Sequence, residues 1–416
     1  MNEATILRND PFAAVKIPEY RNMMIGRFSF IMGLRMLGTL MGWWVYELTN
    51  DPLAIGLIGL TEVIPALTLA LYAGHVIDIS EKRKLLLKGV AAYLLCGILL
   101  LIISTPYFYN HTGKSIVIAG IYITIFFTGI IRAFTGPSFN AIIGQLIPKP
   151  ILPNAITWNQ GTWLSASVMG HASAGFFIAM FKNTGTLIVI VILICAAFFM
   201  LAKIYAKPAA NTNFNKRTWE SVREGLHFVF KTKEVLGALS LDLFAVLFGG
   251  AVAMVPVYAR DILHVGPIGF GWLNAAADLG SIIMVIALTV FPLKRKQGQT
   301  LMFVVAGFGL TIILFGISKV FWISFAALLL SGLLDAISVV IRGTIVQMKT
   351  PDEMRGRVMS VNSMFINSSN ELGQFESGLA ARLMGVVPSV VFGGMMTLLV
   401  VAVTWFKAPT LKKMEY

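Results

Sequence analysis

Cysteine is nearly absent. Cys96 and Cys195 both lie inside apolar runs, so no CxxC pair, zinc site or disulfide framework is available. Charge is scarce as well. Only 13% of the 416 residues are Asp, Glu, Lys or Arg, against about 25% in a soluble protein. That excludes a soluble enzyme, and the richness in apolar residues excludes a disordered scaffold. Catalytic and nucleotide-binding signatures are missing too: there is no GxxxxGK(S/T), HExxH or GxSxG. The chain is not expected to be an enzyme or to hold a cofactor, and any work it does must draw on a gradient. Residues 1–25 contain no apolar core of about 7–15 residues ahead of a small-residue cleavage site. The first membrane span is therefore expected to act as its own insertion signal.

What the chain has in abundance is apolar sequence, 57% of residues, with a mean hydropathy of +0.79. Runs lie at approximately 26–48, 54–76, 83–104, 116–138, 155–180, 186–205, 236–258, 268–292, 300–317, 321–346, 358–380 and 387–406. Each is long enough, or nearly so, to cross a hydrocarbon core about 30 Å thick as a helix. Helix satisfies every backbone polar group internally, as lipid demands. The runs do not alternate, which excludes a barrel. The expected class is an all-α membrane protein of twelve spans.

Acidic residues are outnumbered, 20 against 33 Lys and Arg. In a soluble chain this excess would suggest nucleic-acid binding. Here roughly 25 of the 33 basic residues fall in the termini and alternate loops on one side, the pattern of cytoplasmic loops. The expected partners are therefore the bilayer and a small solute, with no nucleic acid, both termini cytoplasmic and a monomeric chain. The longest linker, 206–235, ends in an amphipathic stretch with Trp219, Val222, Leu226 and Val229 on one face, suited to the membrane surface. The organisation expected is a cytoplasmic segment 1–25, a six-helix bundle 26–205, the linker 206–235, a second bundle 236–406 and a tail 407–416.

The halves look like diverged copies. Val-Tyr46 ends the first span and Val-Tyr258 the seventh, and Gly56/Gly59 and Gly269/Gly271 open the spans that follow. Gln145 to Pro148 matches Gln347 to Pro351, and Asn159 matches Asn362. Parallel six-span repeats accompany a solute site near the bilayer midplane.

Gly74-His-Val-Ile-Asp78-Ile-Ser-Glu-Lys82-Arg83-Lys84 resembles the G-x-x-x-D-R-x-G-R-R loop of the major facilitator superfamily, with Ile79 and Glu81 departing from it. Segments 54–65, 132–137, 241–269 and 351–378 resemble the enterobactin-exporter-like branch of that superfamily, and the likeness extends over about residues 20–405. The resemblance implies two six-helix bundles in a bacterial inner membrane and proton-driven export of siderophores or other amphiphiles, multidrug efflux included. His171 stands where a G-P-x-x-G-G antiporter-type motif would place proline.

An ionisable group at a helix centre costs roughly 2.5–3.5 kcal/mol on insertion scales, so each one in a span is informative. Glu62 precedes Pro65 by three residues and is either a proton carrier beside a hinge or a static partner for an arginine. Asp278 has no charged neighbour in its own span and is a second proton candidate. His171 titrates near neutrality and is a third, unless it is simply hydrogen-bonded. Asp335, Ser338 and Arg342 share one face of the tenth span. Aligning the halves sets Arg132 within one residue of Asp335, so these charges either pair across a cavity or are paired locally. Asp242 is expected near the interface.

The eleventh span is unusually polar. Asn367, Glu371 and Gln374 form one stripe, with Asn370 and Glu376 beside it. The stripe either lines a solute path or bonds helices together. Glu371 also counts as a proton candidate, and Glu376 as a cavity residue. Arg35 and Arg132 would attract an anionic or hydroxyl-rich solute, or neutralise acids. Gly74, Asp78, Lys82, Arg83, Lys84, Arg355 and Arg357 are expected to form a cytoplasmic latch, with Gly74 permitting close helix approach, or else to act only as topology anchors. The alternatives to an exporter are an importer or facilitator of a polar metabolite, and a non-transporting receptor or assembly partner.

Overall fold

The computed structural model describes residues 10–207, 218–291, 293, 296–351 and 354–415. For Leu71, His75, Asp78, Ile79, Ser360 and residues 218–222 it describes the backbone alone. The side chains of Asp78, Trp219 and Val222, named above, therefore lie outside the described set.

Helix dominates. The principal helices are α1 (Pro18–Thr49), α2 (Pro52–Ile79), α3 (Lys82–Ile103), α4 (Lys114–Leu146), α5 (Leu152–Ala202), α6 (Thr218–Lys231), α7 (Lys233–Phe248), α8 (Gly266–Val290), α9 (Gln297–Ile317), α10 (Phe321–Lys349), α11 (Arg355–Met384) and α12 (Val386–Lys407). Among the described residues, ten helices are long and apolar enough to cross a membrane. Two features account for the difference from the twelve runs. Helix α5 is 51 residues long, about 77 Å at 1.5 Å per residue, more than two hydrocarbon thicknesses. It breaks at Lys182, whose φ is 57°, leaving a stretch on each side long enough to span. Helix α11 is 30 residues long but too polar to qualify.

Local chemistry sets the helix boundaries. Asn50 takes a left-handed φ of 51° between α1 and α2, a conformation Asn tolerates through its short polar side chain. Asp51 Oδ1 then accepts from Leu53 N–H at 3.0 Å, capping α2 ahead of Pro52.

The chain forms two compact units: 1–41 with 64–214, and 42–63 with 215–416. The second unit thus takes in the α1–α2 hairpin. In α2 the division falls at Val63/Ile64, beside the internal proline Pro65, where a missing hydrogen bond weakens the helix.

Within the first unit, α5 crosses α1 at Gly170, where a Cβ would meet the Arg35 Cβ at 2.7 Å and the Met32 carbonyl at 2.8 Å. Within the second, α8 and α10 cross through Gly280 and Gly332. A Cβ on Gly280 would overlap the Leu329 carbonyl, and one on Gly332 the Ala277 carbonyl. Ser281 Oγ donates across the crossing to the Gly332 carbonyl at 3.1 Å. Small residues let such helices approach closely where no hydrophobic force separates lipid from protein. Gly332→Ala is expected to destabilise the protein by about 1–3 kcal/mol through overpacking. The readout is a lower thermal midpoint in detergent, and an unchanged midpoint would refute the crossing.

Helix α6 departs from expectation. Its apolar face does not await lipid: Val229 is fully buried in a cluster with Val235, Leu239, Val346, Val358 and Val361, and Leu226 packs against it. Gly225 permits the approach, since a Cβ there would lie 3.0 Å from the Arg357 carbonyl.

Candidate functional site

The densest buried charge lies in the second unit. Arg342 on α10 is 4% exposed and forms an ion pair with Asp242 on α7, itself 7% exposed. The expectation that Asp242 is interfacial is corrected: a guanidinium buried in an apolar helix requires a counter-charge, and α7 supplies it. Of the two readings for Arg342, local pairing holds in this conformation. Asp335 and Ser338 line one small cavity with Asp242. Asp335 is partly buried. The Gly280–Gly332 crossing brings Asp278 within electrostatic reach of it.

A second cluster joins the α1–α2 hairpin to the rest of its unit. A Cβ on Gly59 would lie 2.7 Å from the Glu371 carbonyl, and one on Gly56 2.9 Å from that of Gln374. Gly378 faces Gly56 in the same contact. Gln374 Nε2 donates to Glu371 Oε2 at 3.1 Å, and Glu371 is 7% exposed. Part of the α11 stripe is therefore packed against the hairpin, with Gln374 and Glu371 hydrogen-bonded to each other. Asn367 and Asn370 are exposed, and in a spanning helix exposed amides require water. Glu376 is partly buried and hydrogen-bonded with Ser377. Two further links tie the hairpin down. Tyr46 Oη donates to Asp261, with Arg260 stacked 5.3 Å from the Tyr46 ring centroid. Arg382 pairs with Asp51 at 3.4 Å. Glu62, in the same hairpin, is partly buried.

In the first unit the Arg35 guanidinium lies 5.0 Å from the Trp163 ring centroid, a cation–π contact. His171 Nδ1 and Thr39 Oγ1 are 2.7 Å apart. Arg132 is partly buried on α4.

The residues expected to form the latch have local surroundings within each unit, the Asp78 side chain lying outside the described set. Gly74 has no described atom within 4 Å of where a Cβ would stand, so the close helix approach assigned to it is absent here. Lys82 donates to the Ile77 carbonyl and Arg83 Nη2 to that of Ala202 at 2.8 Å, both terminating neighbouring helices. Lys84 is exposed. Arg357 pairs with Glu224 of α6, within its own unit. Arg355 is exposed at the start of α11.

Against known proteins, residues 9–416 match the family described as transmembrane secretion effector. The chain belongs to that family, within the major facilitator superfamily. This secretion-effector chain is 19% identical over 405 residues to an uncharacterised MFS-type transporter, YfmI, of Bacillus subtilis, covering 95% of this chain and 97% of the relative. It is 23% identical to the staphyloferrin A transporter of Staphylococcus aureus, covering 88% of this chain and 90% of the relative. It is also 23% identical to the enterobactin exporter EntS of Escherichia coli, covering 82% and 80%. Among solved structures, the POT family transporter PepTSo matches with a TM-score of 0.70 at 13% identity, covering 95% of this chain and 98% of the other. The nucleoside transporter NupG matches with a TM-score of 0.63 at 14% identity, covering 94% and 98%. The major facilitator fold and a transporter rather than an enzyme follow from these matches and the helical architecture.

Sequence reasoning missed several residues of the secretion-effector chain. Asp242 was legible in principle, because a buried Arg342 demands an acid in a neighbouring span. Arg27, 7% exposed, donates to Asn140 Oδ1 at 3.2 Å and lies over Phe139; its place at a span start concealed it. The Tyr46–Asp261 bond joins residues far apart in sequence and left no local signal.

Proposed function

We propose that the chain is a proton-coupled secondary exporter of a siderophore-like or other amphiphilic small molecule. It works by alternating access in a bacterial cytoplasmic membrane, with both termini cytoplasmic. The observation that carries this reading is the set of carboxylates Glu62, Asp278 and Asp335, kept inside otherwise apolar helices, with Glu371 buried on the polar helix α11. Each costs free energy that a purely structural membrane protein has no reason to incur. The family description, secretion effector, supports export. Relatives named for staphyloferrin A and enterobactin support a polar, acidic or catechol-bearing solute. Arg35 and Arg132 supply positive charge for such a solute, and Asn367, Asn370, Gln374 and Glu376 supply hydrogen-bonding groups. Protons entering from the periplasm titrate one or more of Glu62, Asp278, Asp335 and Glu371, with His171 as a further acceptor.

The test is efflux from proteoliposomes under an imposed pH gradient, with enterobactin, staphyloferrin A and a lipophilic cationic dye as probes. Gradient-dependent flux of at least one probe is expected, and Glu62→Gln or Asp335→Asn is expected to lower it by about tenfold or more, as for loss of a proton-transferring group. Equal flux with and without the gradient would replace coupling by facilitation. No flux of any probe would favour a receptor.

A further inference from the structure

Between α7, α9 and α10 the second unit forms a small, partly open cavity of about 10 Å³ for the centre of a water-sized occupant, room for about one such particle. Its polar lining is Asp242, Asp335 and Ser338, and its remaining walls are apolar, Phe308 among them. Ser338 is 3% exposed, and its Oγ lacks a hydrogen-bond partner. Such an oxygen is costly to bury unless something occupies the space before it. Charge points the same way. Arg342 offsets Asp242, but among the described residues no lysine or arginine forms an ion pair with Asp335. The other packed helices do not redress the balance. Asp278 on α8 lies within electrostatic reach of Asp335 but outside the cavity lining, and α9 contributes no ionisable residue.

We propose that this cavity is a binding site for one alkali-metal cation, held by oxygens of Asp335, Asp242 and Ser338. Carboxylate and hydroxyl oxygens are hard ligands that suit a hard cation. Among the lining groups and their ion pair, two carboxylates and one guanidinium leave a single negative charge, which one monovalent ion neutralises. With space for one water-sized occupant, the protein oxygens replace part of the ion's hydration shell. The proposal goes beyond proton-coupled export and does not depend on it.

The experiment is thermal unfolding of the purified full chain in detergent at pH 8, in NaCl or KCl against choline chloride at equal ionic strength, which holds charge screening constant. An alkali salt is expected to raise Tm by about 2–4 °C over choline. Ser338→Ala and Asp335→Asn are expected to lose that increment, and Ser338→Thr to keep it. If Asp335→Asn does not fold, the Ser338→Ala and Ser338→Thr pair decides. Equal Tm in alkali and choline salts would overturn the site. So would stabilisation by acid alone, which would assign the cavity to a proton and leave the export reading intact. An alkali increment that persists in Ser338→Ala would place the ion elsewhere and also overturn it.

Discussion

Arg342→Ala is expected to destabilise the protein by about 3–5 kcal/mol, the cost of leaving a buried charge without its partner. The stranded group is Asp242, 7% exposed between apolar helices. Removing both charges is expected to behave differently. Asp242→Leu with Arg342→Met replaces the ion pair with apolar volume, and such exchanges are neutral or stabilising by about 1–4 kcal/mol. The two single variants and the double form a cycle whose non-additivity measures the pair. Thermal unfolding in detergent reads stability, and gradient-driven efflux reads function. Recovery of stability without recovery of efflux would mean that the pair serves transport rather than folding. An unchanged midpoint for Arg342→Ala would remove the pair from the buried set altogether.

Gly59→Leu is expected to prise the α1–α2 hairpin from α11. A side chain there meets the Glu371 carbonyl at 2.7 Å and the Gln374 side chain at 3.0 Å, and the backbone carbonyl cannot rotate away. Overpacking of this kind costs about 1–3 kcal/mol. If the hairpin contact is a closed state of the transport cycle, that cost appears as a shift toward the open state. A cysteine placed by Gln374→Cys should then react faster with a membrane-impermeant maleimide, by about tenfold for each 1.4 kcal/mol. Gly144→Ala is the control, because no described atom lies within 4 Å of its Cβ position; its labelling and stability should be unaffected. Equal labelling with and without Gly59→Leu would show that the contact does not gate access. The Tyr46–Asp261 and Arg382–Asp51 links hold the same hairpin; losing the exposed Arg382–Asp51 pair should cost less than about 1 kcal/mol, and losing the part-buried Tyr46 bond to a carboxylate about 1.5–3 kcal/mol.

Much of the site could be read before the fold was known, because a charged residue in an apolar run is conspicuous. Glu62, Asp278, Asp335 and Arg342 all stand out in this way, and Glu371 through the polar stripe around it. Their partners do not. Seven-residue spacing on α10 suggested that Asp335 and Arg342 act together, yet Arg342 reaches to α7 and Asp335 faces the cavity. Both side chains lie on one helical face, but a guanidinium pairs with whichever acid is brought nearest by helix packing. Gly74 shows the converse. Its motif suggested close packing, whereas Gly56, Gly59, Gly280 and Gly332, outside that motif, make the close backbone contacts.

Composition and periodicity alone determined that this chain is a helical membrane protein, because lipid rewards uninterrupted apolar helix and penalises each charge independently of its surroundings. The grouping of those charges was decided only by tertiary structure. Which acid meets Arg342 and what Ser338 faces depend on how α7, α9 and α10 pack, and the α1–α2 hairpin belongs with the second unit through the close contacts at Gly56, Gly59 and Gly378. A contact between distant residues leaves no mark in either segment taken by itself.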